Sequence, residues 1–164
     1  MGNTNVKQVS QTTVKEFDAE AYRGEWYEIA SYQNSYRQDC ENSIAFYVKE
    51  GDNSANEVYT LTNYCLKDGL VSDHITGHAR MPNEFEPGRL KVKFDKKFLP
   101  EGDYWVYDTD YTHYSLVGDG KGNAFWILAR TPSISVNDYT KLLNKVSRYG
   151  YDKTRLIVAK DAVA

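Results

Sequence analysis

The side chains that could do chemistry are few: His74, His78 and His113, Cys40 and Cys65, and Glu28, set among aromatic residues in "YRGEWYEIASY". A metal needs ligands that converge on one point. His74 and His78 stand four apart in an extended run, on one face but about 13 Å apart along it, and His113 falls in a separate turn. No metal site is expected. An acid–base pair needs a histidine or a second carboxylate near Glu28, and none follows at a recognisable spacing. Glu28 reads as a structural carboxylate that must find donors or a proton once it is buried beside Trp26. No nucleophile elbow, phosphate loop or dinucleotide fingerprint occurs, and "GDGKG" occupies a hairpin turn with no helix behind it. No cofactor is expected.

The cysteines point to a cross-link. If residues 51–56 turn a hairpin, positions near 43 and 64 face each other, and Cys40 and Cys65 come close to one rung. A bridge there closes a loop of about 25 residues and contributes roughly 3 kcal/mol when unstrained. It implies an oxidising compartment, so the chain is expected in a periplasm, associated with an outer membrane, or outside the cell. Two free thiols in a cytosolic protein are the alternative.

The elements that must position these groups are mostly strands. Eight short runs rich in aromatic and β-branched residues fall near 24–32, 43–50, 57–66, 72–80, 89–95, 103–109, 112–118 and 124–130, each ended by Gly, Asn, Asp or Pro. Tight connections make successive runs antiparallel neighbours, a meander. After Pro132 the period changes: Ser135 caps a helix whose Val136, Tyr139, Leu142, Val146 and Tyr149 recur at helical spacing until Gly150. "RLIVA", residues 155–159, adds an edge strand. Eight strands leave two raw edges unless the sheet closes, and closure at eight gives a barrel wide enough for side chains or one small ligand. The expected fold is all-β: an eight-stranded antiparallel up-and-down barrel with one C-terminal helix outside.

Alternation assigns faces. Trp26, Glu28 and Ala30 share one face of the first strand, and Tyr27, Ile29 and Ser31 the other. Phe125, Ile127 and Ala129 turn to the helix, Trp126 and Leu128 away from it. Leu90, Val92 and Phe94 alternate with Arg89, Lys91 and Lys93, whose charges face water.

A chain of 164 residues suits one domain, assigned to 17–164 after a polar arm, 1–16, expected to be flexible. The 20 basic and 23 acidic residues leave a net charge of −3 with no cluster of either sign, which argues against a nucleic-acid partner. The longest apolar run, 124–129, is far too short to span a bilayer. Peripheral membrane association and a monomer or weak homodimer remain compatible with this surface.

Three segments together carry a family resemblance. "FDAEAYRGEWYEIA", with Gly24 and Trp26, "DTDYTHY", with Thr109, Asp110 and Tyr111, and "FWILART", with Arg130, resemble the three ordered signatures of the lipocalins, over about residues 17–160. The wording is most similar to the bacterial and apolipoprotein D-like branch. The resemblance implies that Trp26 plugs the closed end of the barrel with Arg130 across its ring. It also implies that Tyr47, Trp105 and Trp126 line a ligand cavity; strand parity adds Tyr107 beside Trp105 and Leu128 beside Trp126. The implied function is binding and transport or storage of a small hydrophobic or amphiphilic ligand, such as a fatty acid or lysophospholipid, with no catalysis. The alternative is a lipocalin-type enzyme, an isomerase or de-epoxidase of a lipid-like substrate, that uses a cysteine or carboxylate in the cup.

Overall fold

The computed structural model describes residues 8–33, 39–49 and 56–164. Eight antiparallel strands follow in sequence: β1 Gly24–Tyr32, β2 Asn42–Lys49, β3 Glu57–Lys67, β4 Leu70–Arg80, β5 Arg89–Phe94, β6 Gly102–Thr109, β7 Tyr114–Gly118 and β8 Phe125–Ala129. Each pairs with the next, and β1 closes the ring by pairing with both β2 and β8. The expected barrel is therefore present, with bounds within two residues of those read from the sequence. The expected turn at 51–56 lies almost wholly outside the described residues.

β1 serves two partners on its β2 side. Gly24 to Tyr27 pair with Tyr47 to Ile44 of β2, and Ala30 to Tyr32 pair with β9, Leu156–Val158. Between these halves lies a β-bulge: Glu28 opposes Leu128, Ala30 opposes Ile127, and Ile29 is the extra residue. A bulge reverses the parity beyond it. Trp26 and Glu28 face inward as expected, but Ala30 joins Ile29 and Tyr32 in the outer core, and Ser31 takes its place on the Glu28 side.

Outside this wall lies α2, Val136–Arg148. Ser135 Oγ accepts from the amide of Asp138 at 3.1 Å. At the other end, Gly150 (φ +89°) and Tyr151 donate back to the carbonyls of Ser147 and Val146. This left-handed turn favours glycine and completes a Schellman cap. Leu142 and Val146 bury themselves against Phe125, Ile127 and Ala129 of β8, the apolar face that alternation assigned to the helix.

The N-terminal segment differs from expectation. Residues 8–16 are strapped along the outer wall rather than free: Val9 is buried in the helix-side core, Ser10 N–H donates to Tyr149 O, and Val14 N–H donates to Val106 O. The buried Val9, the half-buried Val14 and the paired amides fix a segment that its polar composition disguises. A short helix, α1 (Ala19–Tyr22), then carries Tyr22 into the base of the barrel.

Cys40 and Cys65 form a disulfide with Cα atoms 5.3 Å apart. Ser43 stands opposite Cys65 in the β2–β3 ladder, the register that the sequence argument required.

Candidate ligand-binding site

The closed end is assembled from the three signature segments. Gly24 has φ +98°, a left-handed conformation that turns the chain from α1 into β1 and that glycine adopts without steric cost. Trp26 is fully buried, and its Nε1 donates to Tyr22 O at 2.9 Å. The Arg130 guanidinium lies 3.7 Å from the Trp26 ring centre. Its nitrogens donate to the carbonyls of Tyr111, Glu25, Ala21, Tyr22 and Arg23. Thr109 Oγ1 donates to Tyr114 O and accepts from the amide of Tyr111. Asp110 Oδ1 accepts from the amides of Thr112, His113 and Tyr114. Desolvation works to raise the Asp110 carboxyl, but the Tyr114 and His113 amides and the His113 ring together outweigh it and hold it below the usual carboxylate range. Every signature residue thus closes the base of the barrel.

Above Trp26 a layer of phenols satisfies itself. Tyr47 Oη donates to Tyr104 Oη at 2.9 Å, Tyr104 and Tyr22 share a 2.6 Å bond, and Tyr22 also bonds Ser115 Oγ at 2.9 Å. Desolvation by burial, with the neighbouring phenols adding to it, holds Tyr22 and Tyr104 far above the ordinary phenol range, so both stay neutral. This hydrogen-bonded chain of hydroxyls forms a floor.

Over that floor opens a cavity of about 300 Å³, at the small end of ligand-site volumes. Its wall is mainly apolar: Leu61, Ile75, Val92, Phe94, Trp126 and Leu128. Pro100, Glu101 and Gly102, all exposed, border it at the β5–β6 end. The polar wall residues include Glu28, bonded by Ser31, and Asn63. Three of the five expected ligand-binding residues, Tyr47, Trp126 and Leu128, border this space.

Trp105 and Tyr107 do not, and the expectation that they face the lumen is corrected. In the β5–β6 ladder Leu90 stands opposite Tyr104 and Arg89 opposite Trp105. Because Leu90 is an inner residue, Tyr104 is too, and Trp105 faces out. There its ring is covered by the Arg89 guanidinium at 4.0 Å and lies so close to Gly120 that a Cβ would meet it at 2.6 Å. Tyr107, two residues on, shares that outer face, where it stacks on Phe125 and Tyr149 and bonds Tyr151 Oη; the bulge between Val106 and Asp108 alters faces only beyond it. The signal that finds Tyr104 was available: the inward alternation of Leu90, Val92 and Phe94 sets the face of any strand paired with theirs.

A smaller, more polar cavity of about 220 Å³ occupies the seam where β1 exchanges β2 for β9, bordered by Glu28, Ser31, Glu41, Ser43 and Val158 among others. The histidines are dispersed. His78 pairs with Glu57 and lies 3.4 Å from Asp95, His113 bonds Asp110, and His74 is exposed. Among the described residues no three His, Cys, Asp or Glu side chains gather into a group that could hold a metal, and no helix is long and apolar enough to cross a membrane.

Comparison with known proteins agrees with this geometry. The lipocalin-like domain family matches residues 17–161. Temperature-induced lipocalin-1 of Arabidopsis thaliana is 34% identical over 151 residues, covering 87% of this chain and 78% of that protein. Outer membrane lipoprotein Blc of Escherichia coli (strain K12) is 30% identical over 146 residues, 89% of this chain and 80% of that protein. Apolipoprotein D of Bos taurus is 33% identical over 133 residues, 77% and 67%. Insecticyanin from the tobacco hornworm Manduca sexta superposes with a TM-score of 0.72 at 20% identity, over 93% of this chain and 85% of that one, which speaks to the fold. With its closed eight-strand ring, its single outer helix and its Trp26–Arg130 base, the chain belongs to the lipocalin family, whose members generally bind or transport small hydrophobic ligands.

Proposed function

We propose that this protein is a non-enzymatic carrier that takes the apolar chain of an amphiphile, a fatty acid, lysophospholipid or similar molecule, into the lumen, with Tyr47, Trp126 and Leu128 against it. The observation that carries this reading is the 300 Å³ apolar cavity above a self-satisfied phenol floor. An apolar chain gains about 0.8 kcal/mol per methylene buried, ample for micromolar binding after ordering costs. The cavity is small, so the polar end of a long amphiphile rests at the mouth near Pro100 to Gly102.

The enzymatic alternative loses its nucleophile, because Cys40 is held in a disulfide and only a thiolate attacks. Glu28 is bonded to Ser31, and no histidine is among the described residues of the cavity wall. The disulfide also favours an exported protein, in keeping with the relative Blc, an outer membrane lipoprotein. Titrating fatty acids and lysophospholipids below their critical micelle concentrations against tryptophan fluorescence tests the reading. Saturable quenching that Trp126→Ala weakens supports it; no saturable response to any apolar ligand overturns it.

A further inference from the structure

The inner face of β6 presents Gly102, Tyr104 and Val106 in order from the mouth inward, since Gly102 stands opposite Val92 and Tyr104 opposite Leu90, both inner residues. At Gly102 a Cβ would meet nothing within 4 Å, and the residue borders the lumenal cavity. The shaft is empty there. One step down, Tyr104 closes it: this half-buried residue borders the same cavity, and its hydroxyl bonds those of Tyr47 and Tyr22. Its ring also meets the Tyr47 ring edge-on at 6.1 Å. Beneath this layer Val106, Tyr22 and Trp26 are fully buried.

Resting on the carrier reading above, we infer that Tyr104 is the residue that sets chain length: it stops the apolar chain at a fixed depth, so the lumen selects amphiphiles of medium chain. The cavity of about 300 Å³ holds roughly ten groups the size of a water or a methylene, at about 30 Å³ each. A longer chain gains no room downward, because displacing the Tyr104 ring breaks two hydrogen bonds and leaves buried hydroxyls unpaired. Nor does it gain room sideways. The seam cavity of about 220 Å³ shares Glu28 with the lumen, and a chain passing there strips water from a carboxylate. Further methylenes stay at the mouth among the exposed Pro100, Glu101 and Gly102, where water still reaches them. Each methylene that enters tightens binding by about four-fold, and each that stays outside adds little.

The test is a series of n-alkylphosphocholines from hexyl to tetradecyl, each below its critical micelle concentration, titrated by calorimetry or fluorescence into the wild type, Tyr104→Ala and Gly102→Leu. In the wild type, affinity is expected to rise about four-fold per methylene and to level off near decyl. Tyr104→Ala opens space at the floor that its surroundings refill only in part, so the break moves to chains about two carbons longer or more. Gly102→Leu fills the shaft above Tyr104, and the break moves to shorter chains. Gly102 has no left-handed backbone to strain and lies exposed at the start of β6, so this variant and the wild-type series serve even where Tyr104→Ala folds poorly, which thermal melting reveals. A steady rise through tetradecyl in the wild type overturns the inference, as does a break that stays in place in either folded variant; in both cases the carrier reading survives. Binding of no member of the series removes the carrier reading, and the inference with it.

Discussion

Replacing Arg130 with alanine removes a cation from the face of Trp26 at 3.7 Å and five donations to carbonyls that ring the base. The stack is worth about 0.5–2 kcal/mol. The hydrogen bonds do not add five-fold. Tyr22 O keeps its bond from Trp26 Nε1, and water reaches other carbonyls at this half-exposed end, so their net share is that of a charged donor, about 1.5–3 kcal/mol. Together they amount to about 2–5 kcal/mol, which lowers Tm by about 5–15 °C in a chain of this size. Arg130→Lys retains the charge without the planar fork, so it should recover part of the loss and no more. Urea unfolding and thermal melting measure the change. Arg130 is not among the cavity-lining residues, so protein that still folds should keep its ligand affinity. A Tm drop under about 2 °C, or lost binding at unchanged stability, would refute the assignment of Arg130 to the base.

The other expectations separate the two sides of the wall. Trp126→Ala should weaken ligand binding by about ten-fold or more, since it strips an aromatic wall from the cavity, whereas Lys91→Ala, outside and paired with Asp103, should change affinity little; both are read by titration. Trp105→Leu should do the opposite, lowering stability by about 1–3 kcal/mol with affinity unchanged, because its ring lies between Arg89 and Gly120. Reducing the Cys40–Cys65 bond, or replacing both cysteines with alanine, opens a 25-residue loop and should cost about 3 kcal/mol by denaturant titration. Asp110 has a depressed folded-state pKa, so its contribution is complete above the unfolded value near 4 and is lost as pH falls through the lower folded value. The stability gap between wild type and Asp110→Asn should therefore hold near neutral pH and close in strong acid. A gap that persists unchanged below the folded pKa would contradict this.

Where sequence periodicity met regular structure, it was accurate. The eight strands, the Ser135 cap and the Gly150 terminus were legible because pleat and helix periods and left-handed glycine positions are local properties. The Cys40–Cys65 link followed from the register of a single hairpin. Local periodicity failed at the β1 bulge, where Ile29 shifted Ala30 and Ser31; at the β6 bulge Tyr107 is the extra residue, and the face it was expected to share with Trp105 it does share. One inserted residue exchanges the faces beyond it, and no turn residue or proline marks either site. Trp105 misled for a different reason. The family resemblance suggested a ligand wall, but the Arg89 side chain and the Gly120 turn cover it on the outside, and both are non-local. The same holds for Tyr22, which enters the floor from a four-residue helix, and for residues 8–16, whose polar composition hid the amides paired with Tyr149 and Val106.

The central claim is that apolar surface leaves water inside this barrel when ligand binds. Burying apolar surface gives a negative heat-capacity change, its most robust marker. Calorimetry of a single-chain lysophospholipid, held below its critical micelle concentration and repeated at several temperatures, reads both stoichiometry and that change. One ligand per chain, with a clearly negative heat-capacity change that Trp126→Ala diminishes, is the expected result. Absent or non-saturating heat, or binding whose enthalpy does not vary with temperature, would contradict the account.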